Sequence, residues 1–246
     1  TITDILGCQN DNLFILSALD TIPPSISTQN ISVYLDANGE ASITASQINN
    51  GSADNCGIAS YSLSLDTFDC GHVGSNTITL TITDVHGNQS SDTATVTVLD
   101  TIAPQVFTQN AIVYLDSSGQ FTLSPATIDS GSWDSCGIDS SWISQTSFDC
   151  SAVGDTIAVS LFVEDVSGNS SLDSSFVITL DTIAPTILVQ NITVALDSTG
   201  NASIDTSMIN NGSWDACGID AMYLSSYSFS CAFIGIDSVY FYAIDN

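Results

Sequence analysis

Apolar and polar residues alternate one for one along much of this chain. Ile78, Leu80 and Ile82 are interleaved with Thr77, Thr79, Thr81 and Thr83, and Ala94, Val96 and Val98 with Thr93, Thr95 and Thr97. Ile31, Val33 and Leu35 are separated by Ser32 and Tyr34. A period of two places successive side chains on opposite faces of a strand, so each run predicts a half-buried β-strand, apolar side inward and hydroxyls toward water. Asp36-Ala37-Asn38-Gly39 and Val85-His86-Gly87-Asn88 are turn signals, since Gly and Asn accept the backbone conformations that tight turns need. About seven short strands in roughly 80 residues predict a two-sheet sandwich. No helical run of useful length occurs.

The alternation itself recurs. Asp20, Asp100 and Asp181 each open the string Asp-Thr-Ile-(Pro/Ala)-Pro. Gly-Ser-Ala-Asp-Asn-Cys-Gly at 51–57 returns as Gly-Ser-Trp-Asp-Ser-Cys-Gly at 131–137 and Gly-Ser-Trp-Asp-Ala-Cys-Gly at 212–218, and Asp84-Val-His-Gly-Asn88 returns as Asp165-Val-Ser-Gly-Asn169. A fixed period of this kind is the signature of tandem units. The predicted boundaries are 20–99, 100–180 and 181–246, preceded by residues 1–19, which align with 81–99 and read as the C-terminal strand of an upstream repeat. The last unit lacks its final strand, so the expectation is a segment of a continuing array.

Six of the seven cysteines fall into pairs of identical spacing, Cys56/Cys70, Cys136/Cys150 and Cys217/Cys231. One pair per unit in register predicts an intra-unit disulfide in each and an oxidising compartment. Buried free thiols or a metal site are the alternatives, although a thiolate metal site wants more Cys or His nearby. Cys8 is left without a partner by this spacing: either its partner lies upstream or it is a free thiol.

Charge narrows the function. The chain of 246 residues has 27 acidic residues and no Lys or Arg, for a net charge of −27, while 43% of residues are hydrophobic. Binding to nucleic acid or to an anionic membrane surface needs cations that this chain lacks. Its self-repulsion must be relieved by solvent, salt or bound cations. No stretch is long and apolar enough for a membrane helix.

Taken together, Asp-x-Cys-Gly, Phe-x-Cys-x-x-(Val/Ile)-Gly, an alternating strand, Asp-x-x-Gly-Asn and a last strand before Asp-Thr-Ile-Ala-Pro resemble the hyalin-repeat type of immunoglobulin-like domain. The flavour is that of tandem repeats in giant surface adhesins and filaments of gliding or predatory Bacteroidota. The resemblance covers essentially the whole chain. It implies an all-β fold of tandem immunoglobulin-like β-sandwich repeats arranged end to end, at the cell surface. Hyalin repeats also carry Cys near the first and in the last strand, where this chain has Ser27-Thr28-Gln29-Asn30 and Gln89-Ser90-Ser91-Asp92, so their disulfide map does not transfer.

In an immunoglobulin topology a unit's start, its B–C loop and its F–G turn share one pole. Asp20, Asp54 and Asp84 occupy those places in the first unit, Asp100, Asp134 and Asp165 with Glu164 in the second, and Asp181, Asp215 and Asp245 in the third. Hard oxygen ligands converging at a junction suit Ca²⁺; the plainer reading is turn and cap Asp without metal. Trp133 and Trp214 precede the first Cys of their units and either pack on a disulfide or a neighbouring unit or bind carbohydrate. The Bacteroidota resemblance adds a possible O-glycosylation motif, Asp-(Ser/Thr)-apolar, at Thr21, Thr93, Thr101 and Thr182, where the plainer reading is that these Thr simply begin strands.

No catalytic constellation emerges. His72 and His86 are the only imidazoles, neither is repeated, and the carboxylates sit mostly in turns. The function expected is structural: the rod or stalk of a large cell-surface adhesin or filament used for attachment, motility or cell contact. The alternative is a module whose loops recognise a glycan or another cell surface. The expected partners are neighbouring repeats, identical chains in a filament and cell-surface glycans, without nucleic acid or membrane insertion.

Overall fold

A computed structural model describes Ile2–Thr3, Gln9–Asn10 and residues 13–246. Ile2–Thr3 pairs antiparallel with Gln9–Asn10; Cys8 and most of the predicted upstream strand's first half lie outside the described residues. The chain divides into two compact units, Thr1–Ile102 and Ala103–Asn246.

In the first unit residues 13–24 have no regular structure. The sandwich that follows has one sheet of four strands. Ile31–Tyr34 runs parallel to Gln89–Leu99, which forms a long hairpin with Gly74–Asp84, and Gly74–Asp84 pairs antiparallel with Ile58–Leu63. The opposing layer is slighter: Ala41–Ser42 pairs with Thr67–Phe68, extended by single bridges Ser25↔Ala53 and Thr28↔Asn49. A four-residue helical turn, Ala45–Ile48, plugs the side of the sandwich with Ile48. Its start is closed by Thr44 N donating to Gln47 Oε1 at 2.7 Å. The alternation read from sequence is the core: Ile78, Leu80, Ile82, Ala94, Val96 and Val98 are all buried, against Leu35, Ile43 and Phe68.

The second unit contains two more copies of this plan. In the second repeat Ala111–Tyr114 runs parallel to Ser170–Leu180, which pairs with Thr156–Asp165, and that strand pairs with Ile138–Ile143. Gln120–Thr122 and Ser147–Asp149 form the opposing layer. Phe148, Val159, Leu161, Val163 and Val177 make a closed core. The same bulge breaks the register between Ile58 and Ser60, Ile138 and Ser140, and Ile219 and Ala221, so the three copies share even their irregularities.

The third repeat has fewer paired strands among the described residues. Ile219–Leu224 pairs with Phe241–Asp245, and Asn201–Ser203 with Ser228–Ser230. The stretch 191–197, equivalent to the first strand of the other repeats, is not in a strand, and neither is 236–240. Among its described residues the buried apolar side chains are Ile204, Ile209 and Leu224, which are 6%, 9% and 5% exposed. Among the described residues no helix is long and apolar enough to cross a membrane.

Candidate functional site

Each repeat has two ends, and the chemistry is concentrated there. At the end where the repeat begins, the F–G turn is built by an aspartate. Asp84 Oδ1 accepts from the N–H of His86 and Asn88, both at 2.8 Å, and Oδ2 accepts from Asn88 Nδ2 at 2.7 Å. Asp165 repeats this with the N–H groups of Ser167 and Asn169 and with Asn169 Nδ2. Both aspartates are 1% exposed. Burial pushes the Asp84 carboxyl up, but Asn88 and the turn N–H groups outweigh it and hold it below its ordinary value. Gly87, at φ +91°, supplies the left-handed residue that closes this turn.

Asp20 and Asp54 join Asp84. One carboxylate oxygen from each lies within 4.8 Å of the others. Asp20 Oδ1 accepts from Ile22 N–H at 3.1 Å, and Asp54 Oδ1 from the N–H groups of Cys56 and Gly57. Asp20 Oδ2 is buried, has no hydrogen bond of good geometry, and faces His86 Nδ1 at 3.3 Å. Asp20, Cys56 and His86 form a second close group around the same carboxylate. The Ile22 N–H and the Cys56 thiol lower the Asp20 carboxyl, and the same contact with Asp20 raises the Cys56 thiol. Nothing in the sequence points to Cys56 and His86 here, because they meet Asp20 only through the fold, across 36 and 66 residues respectively.

The other predicted acids divide. Asp181 and Asp215 come together with Cys217 within the same 4.8 Å, and Asp245 is outside that group. Asp181 and Asp215 each also close a turn, onto Ile183 N–H and Cys217 N–H. In the first unit Asp100 is buried and accepts from Ile102 N–H at 3.1 Å. In the second unit Asp134 accepts from Cys136 N–H at 2.7 Å, while Glu164 sits in a strand between Ser140 and Ser170. Turn closure is thus a shared task of these aspartates.

At the opposite end an aspartate again builds a turn. Asp36 Oδ1 accepts from the N–H of Asn38 and Glu40, Asp116 from Ser118 and Gln120, and Asp197 from Thr199 and Asn201. The second Cys of each repeat rests on this turn: Cys70 Sγ lies 3.9 Å from Gly39 O, Cys150 Sγ 3.8 Å from Gly119 O, and Cys231 Sγ 3.7 Å from Gly200 O. A Cβ on Gly119 would come within 2.6 Å of Cys150 Sγ, so this position needs glycine for space as well as for its φ of +73°.

This placement corrects the predicted pairing. The disulfide joins Cys150 to Cys217, linking the second repeat to the third, with Cα atoms 5.0 Å apart. Cys70 and Cys136 are also disulfide-bonded, whereas Cys56 and Cys231 are free and exposed. None of Cys56–Cys70, Cys136–Cys150 and Cys217–Cys231 therefore forms. The reason is distance. The first Cys of a repeat follows the B–C loop beside the starting turn, and the second rests on the turn at the far end. The eleven-residue strand Gln89–Leu99 runs between those ends and spans roughly 35 Å at about 3.3 Å per residue. A disulfide needs Cα atoms about 6 Å apart. For Cys150, the first Cys of the following repeat, Cys217, meets that condition.

Thr21, Thr93, Thr101 and Thr182 are all exposed. Trp133 and Trp214 hold backbone bridges to Gln105 and Thr186, and their side chains are about half exposed. Two further aromatic pairs stand on outward faces: Trp142 stacks on Phe162 with centroids 5.5 Å apart, and Tyr223 on Tyr242 at 4.8 Å. His72 Nδ1 donates to Asp69 Oδ1 at 2.7 Å, and the ring packs edge-on against Phe68.

No protein-family model matches the chain, and no curated protein matches it in sequence. Solved structures similar to it include protocadherin gamma B7 extracellular cadherin domains 1-4, with 13% identity over 82% of this chain and 63% of that chain and a TM-score of 0.33. Others are Drosophila N-cadherin EC1-4, with 13% identity over 64% of this chain and 49% of that chain and a TM-score of 0.34, and the four N-terminal Ig domains of Dscam1 isoform 8.4, with 10% identity over 68% and 48% and a TM-score of 0.31.

Proposed function

We propose that this chain is a segment of the extracellular rod or stalk of a large cell-surface adhesin or filament, in which consecutive sandwich repeats are clamped end to end. The observation that carries this reading is the Cys150–Cys217 disulfide. It ties the far-end turn of one repeat to the loop that opens the next. Adjacent repeats are joined without a spacer, Leu180 running straight into Asp181. A covalent clamp and no linker resist bending and pulling, which suits a load-bearing array rather than a catalyst. Disulfides also fit an oxidising, extracellular setting. Attachment, motility or cell contact, and association of identical chains in a filament, are the roles such a rod would serve.

Calcium belongs to this reading. Asp20, Asp54 and Asp84 offer close carboxylate oxygens, and Asp20 Oδ2 is buried without a well-formed hydrogen bond. A Ca²⁺ there would be completed by backbone carbonyls and water, offsetting repulsion that no Lys or Arg in this chain can offset. Small-angle scattering and electron microscopy test the rod: the expected particle is roughly 100–130 Å long for three repeats, and a compact globule overturns the proposal. Melting with and without EGTA tests the cation: the expected result is a lower Tm in EGTA for the wild type and a diminished difference in Asp20→Asn/Asp54→Asn. Identical melting curves at moderate salt remove calcium from the account and leave the rod standing.

The exposed aromatics favour a second reading, that outward faces of these repeats recognise a glycan. Stacked pairs such as Trp142 with Phe162 present flat apolar surface to solvent. Binding to a glycan array that is lost in Trp142→Ala but kept in Asp20→Asn would support it. The exposed Thr21, Thr93, Thr101 and Thr182 are the positions at which attached glycans would be sought by mass spectrometry.

A further inference from the structure

The outward face of the four-stranded sheet differs between the first and second repeats in a way that the fold does not require. In the second repeat Trp142, Phe162 and Leu172 are cross-strand partners and form one row over three strands. Phe176 follows beside Ala158, and then Ile178 beside Ile112. Trp142, Leu172, Phe176 and Ile112 are 43%, 59%, 53% and 57% exposed. At the same register the first repeat has Ser62, Thr81 and Ser91, then Thr95 beside Thr77, then Thr97 beside Ser32. Hydroxyls on this face are enough for a closed sandwich, since Ile78, Leu80 and Val96 bury the core from the opposite side of the same strands. The large apolar side chains of the second repeat therefore add nothing to its core. Taking them out of water needs a surface from outside the repeat. The third repeat keeps an aromatic pair at the first two of these positions, Tyr223 stacked on Tyr242.

Relief and charge both fit a second copy of this chain. The ridge of Trp142, Phe162 and Leu172 lies beside a trough of small residues, Ser160 hydrogen-bonded to Ser174 at 3.0 Å with Ala158 next along the strand. A face with a ridge and a trough side by side is self-complementary: a two-fold axis between them seats each ridge in the other copy's trough. Each copy carries a net charge of −27 with no Lys or Arg, so most approaches of two copies bring carboxylates together. Among the paired outward positions of this sheet the carboxylate is Glu164, at the margin between Ser140 and Ser170. A cationic partner would be drawn instead to the aspartate turns at the ends of the repeat. Four strands at about 4.8 Å each, over a length of about 26 Å, give roughly 500 Å² per copy. The pair then buries roughly 1,000 Å², the lower bound for a specific interface. One such contact is weak, and several in register along two rods add up.

We propose that the outward sheet face of the second repeat pairs two-fold with the same face of a second copy, so that rods associate side by side through Trp142, Phe162, Leu172 and Phe176. This rests on the rod reading for its purpose, while the face is an observation independent of the disulfide clamp. It also claims the surface that the glycan reading would use.

The test is sedimentation equilibrium of the 246-residue chain, its free thiols alkylated, from micromolar to millimolar concentration. The expected result is a reversible monomer–dimer equilibrium that tightens as salt rises, because screening relieves the repulsion between copies. Trp142→Ser/Phe162→Thr/Leu172→Ser gives the second repeat the residues of the first, and should weaken the dimer at least tenfold with Tm unchanged. A Trp133→Phe/Trp214→Phe variant leaves Trp142 as the single Trp, and its emission should shift to the blue over the same concentration range. That shift decides the matter if the triple variant does not fold. A chain that stays monomeric, a dimer indifferent to the folded triple variant, or a dimer in which Trp142 emission does not move overturns the proposal. So does a monomer whose Trp142 emission responds only to an added neutral oligosaccharide. Particles that are elongated by small-angle scattering but do not dimerise sink this inference alone and leave the rod reading in place.

Discussion

The second and third repeats carry the same motifs at nearly the same spacing, and one of them closes its core while the other does not. Phe148 is 1% exposed and Phe229 only partly buried; Val159 is fully buried and Val239 partly so. Local sequence does not explain the contrast, since the turns, the bulge and the helical plug recur in both. In the second repeat Ser170–Leu180 pairs with two neighbours, and among the described residues none takes that place in the third. Without such a strand the third repeat loses the hydrogen-bond partner of two neighbours and the apolar side chains that would cap its core. Closure of a sandwich is therefore a cooperative property of its last strand, whereas its turns are set locally by aspartate and glycine.

The largest test of this contrast is a pair of core truncations. Phe148→Ala should destabilise the second repeat by about 3–5 kcal/mol, the usual cost of removing a buried Phe. Phe229→Ala should cost less than half of that, because its pocket is already open to water. Urea titrations followed by the near-ultraviolet signal would check both. Equal costs would mean that the third repeat closes its core by some other route.

The two cysteines that rest on equivalent turns sharpen the comparison. Cys217→Ser releases Cys150 and opens a link between residues 67 apart in sequence; loss of a disulfide of this kind costs about 2–4 kcal/mol. Cys231→Ser in the monomer should leave stability within about 0.5 kcal/mol, as a surface change does. Thermal melts of the two variants under non-reducing conditions distinguish them.

Acid should act on both repeats alike. Asp116 is lowered by Ser118 and neighbouring N–H groups, and Asp197 by Asn201 N–H and by Thr199. A carboxyl whose folded pKa lies below its unfolded value, about 3.9 for Asp, adds stability that is complete above that value. The stability is lost as the pH falls through the lower folded pKa. Denaturation midpoints should thus be flat above about pH 5 and drop below about pH 4. Asp116→Asn and Asp197→Asn should each weaken that acid dependence by a similar small amount. An acid response confined to one repeat would contradict the view that these turns are independent local devices.

Much of this was legible in the sequence. The period-two runs around Leu80 and Val96 gave the strands and their inward faces, and the recurring Asp-x-x-Gly-Asn gave the turns. The carboxylate group at Asp20, Asp54 and Asp84 followed from placing three loops at one pole. The disulfide partners did not follow. Cys136 and Cys150 are close in sequence but are held at opposite ends of one sandwich, and spacing alone carries no information about the length of a strand lying between them. His86 escaped for a related reason: it meets Asp20 only because the F–G turn folds back onto the start of the repeat.

The most direct test of serial clamping is disulfide mapping of the monomer under non-reducing conditions. The chain has no Lys or Arg for trypsin, so an Asp-directed protease is used. The account predicts a crosslinked peptide containing Cys150 and Cys217, with Cys56 and Cys231 recovered as free thiols. Recovery of Cys136 linked to Cys150, or of Cys217 linked to Cys231, would place each bond within one repeat and contradict the clamp on which the rod depends.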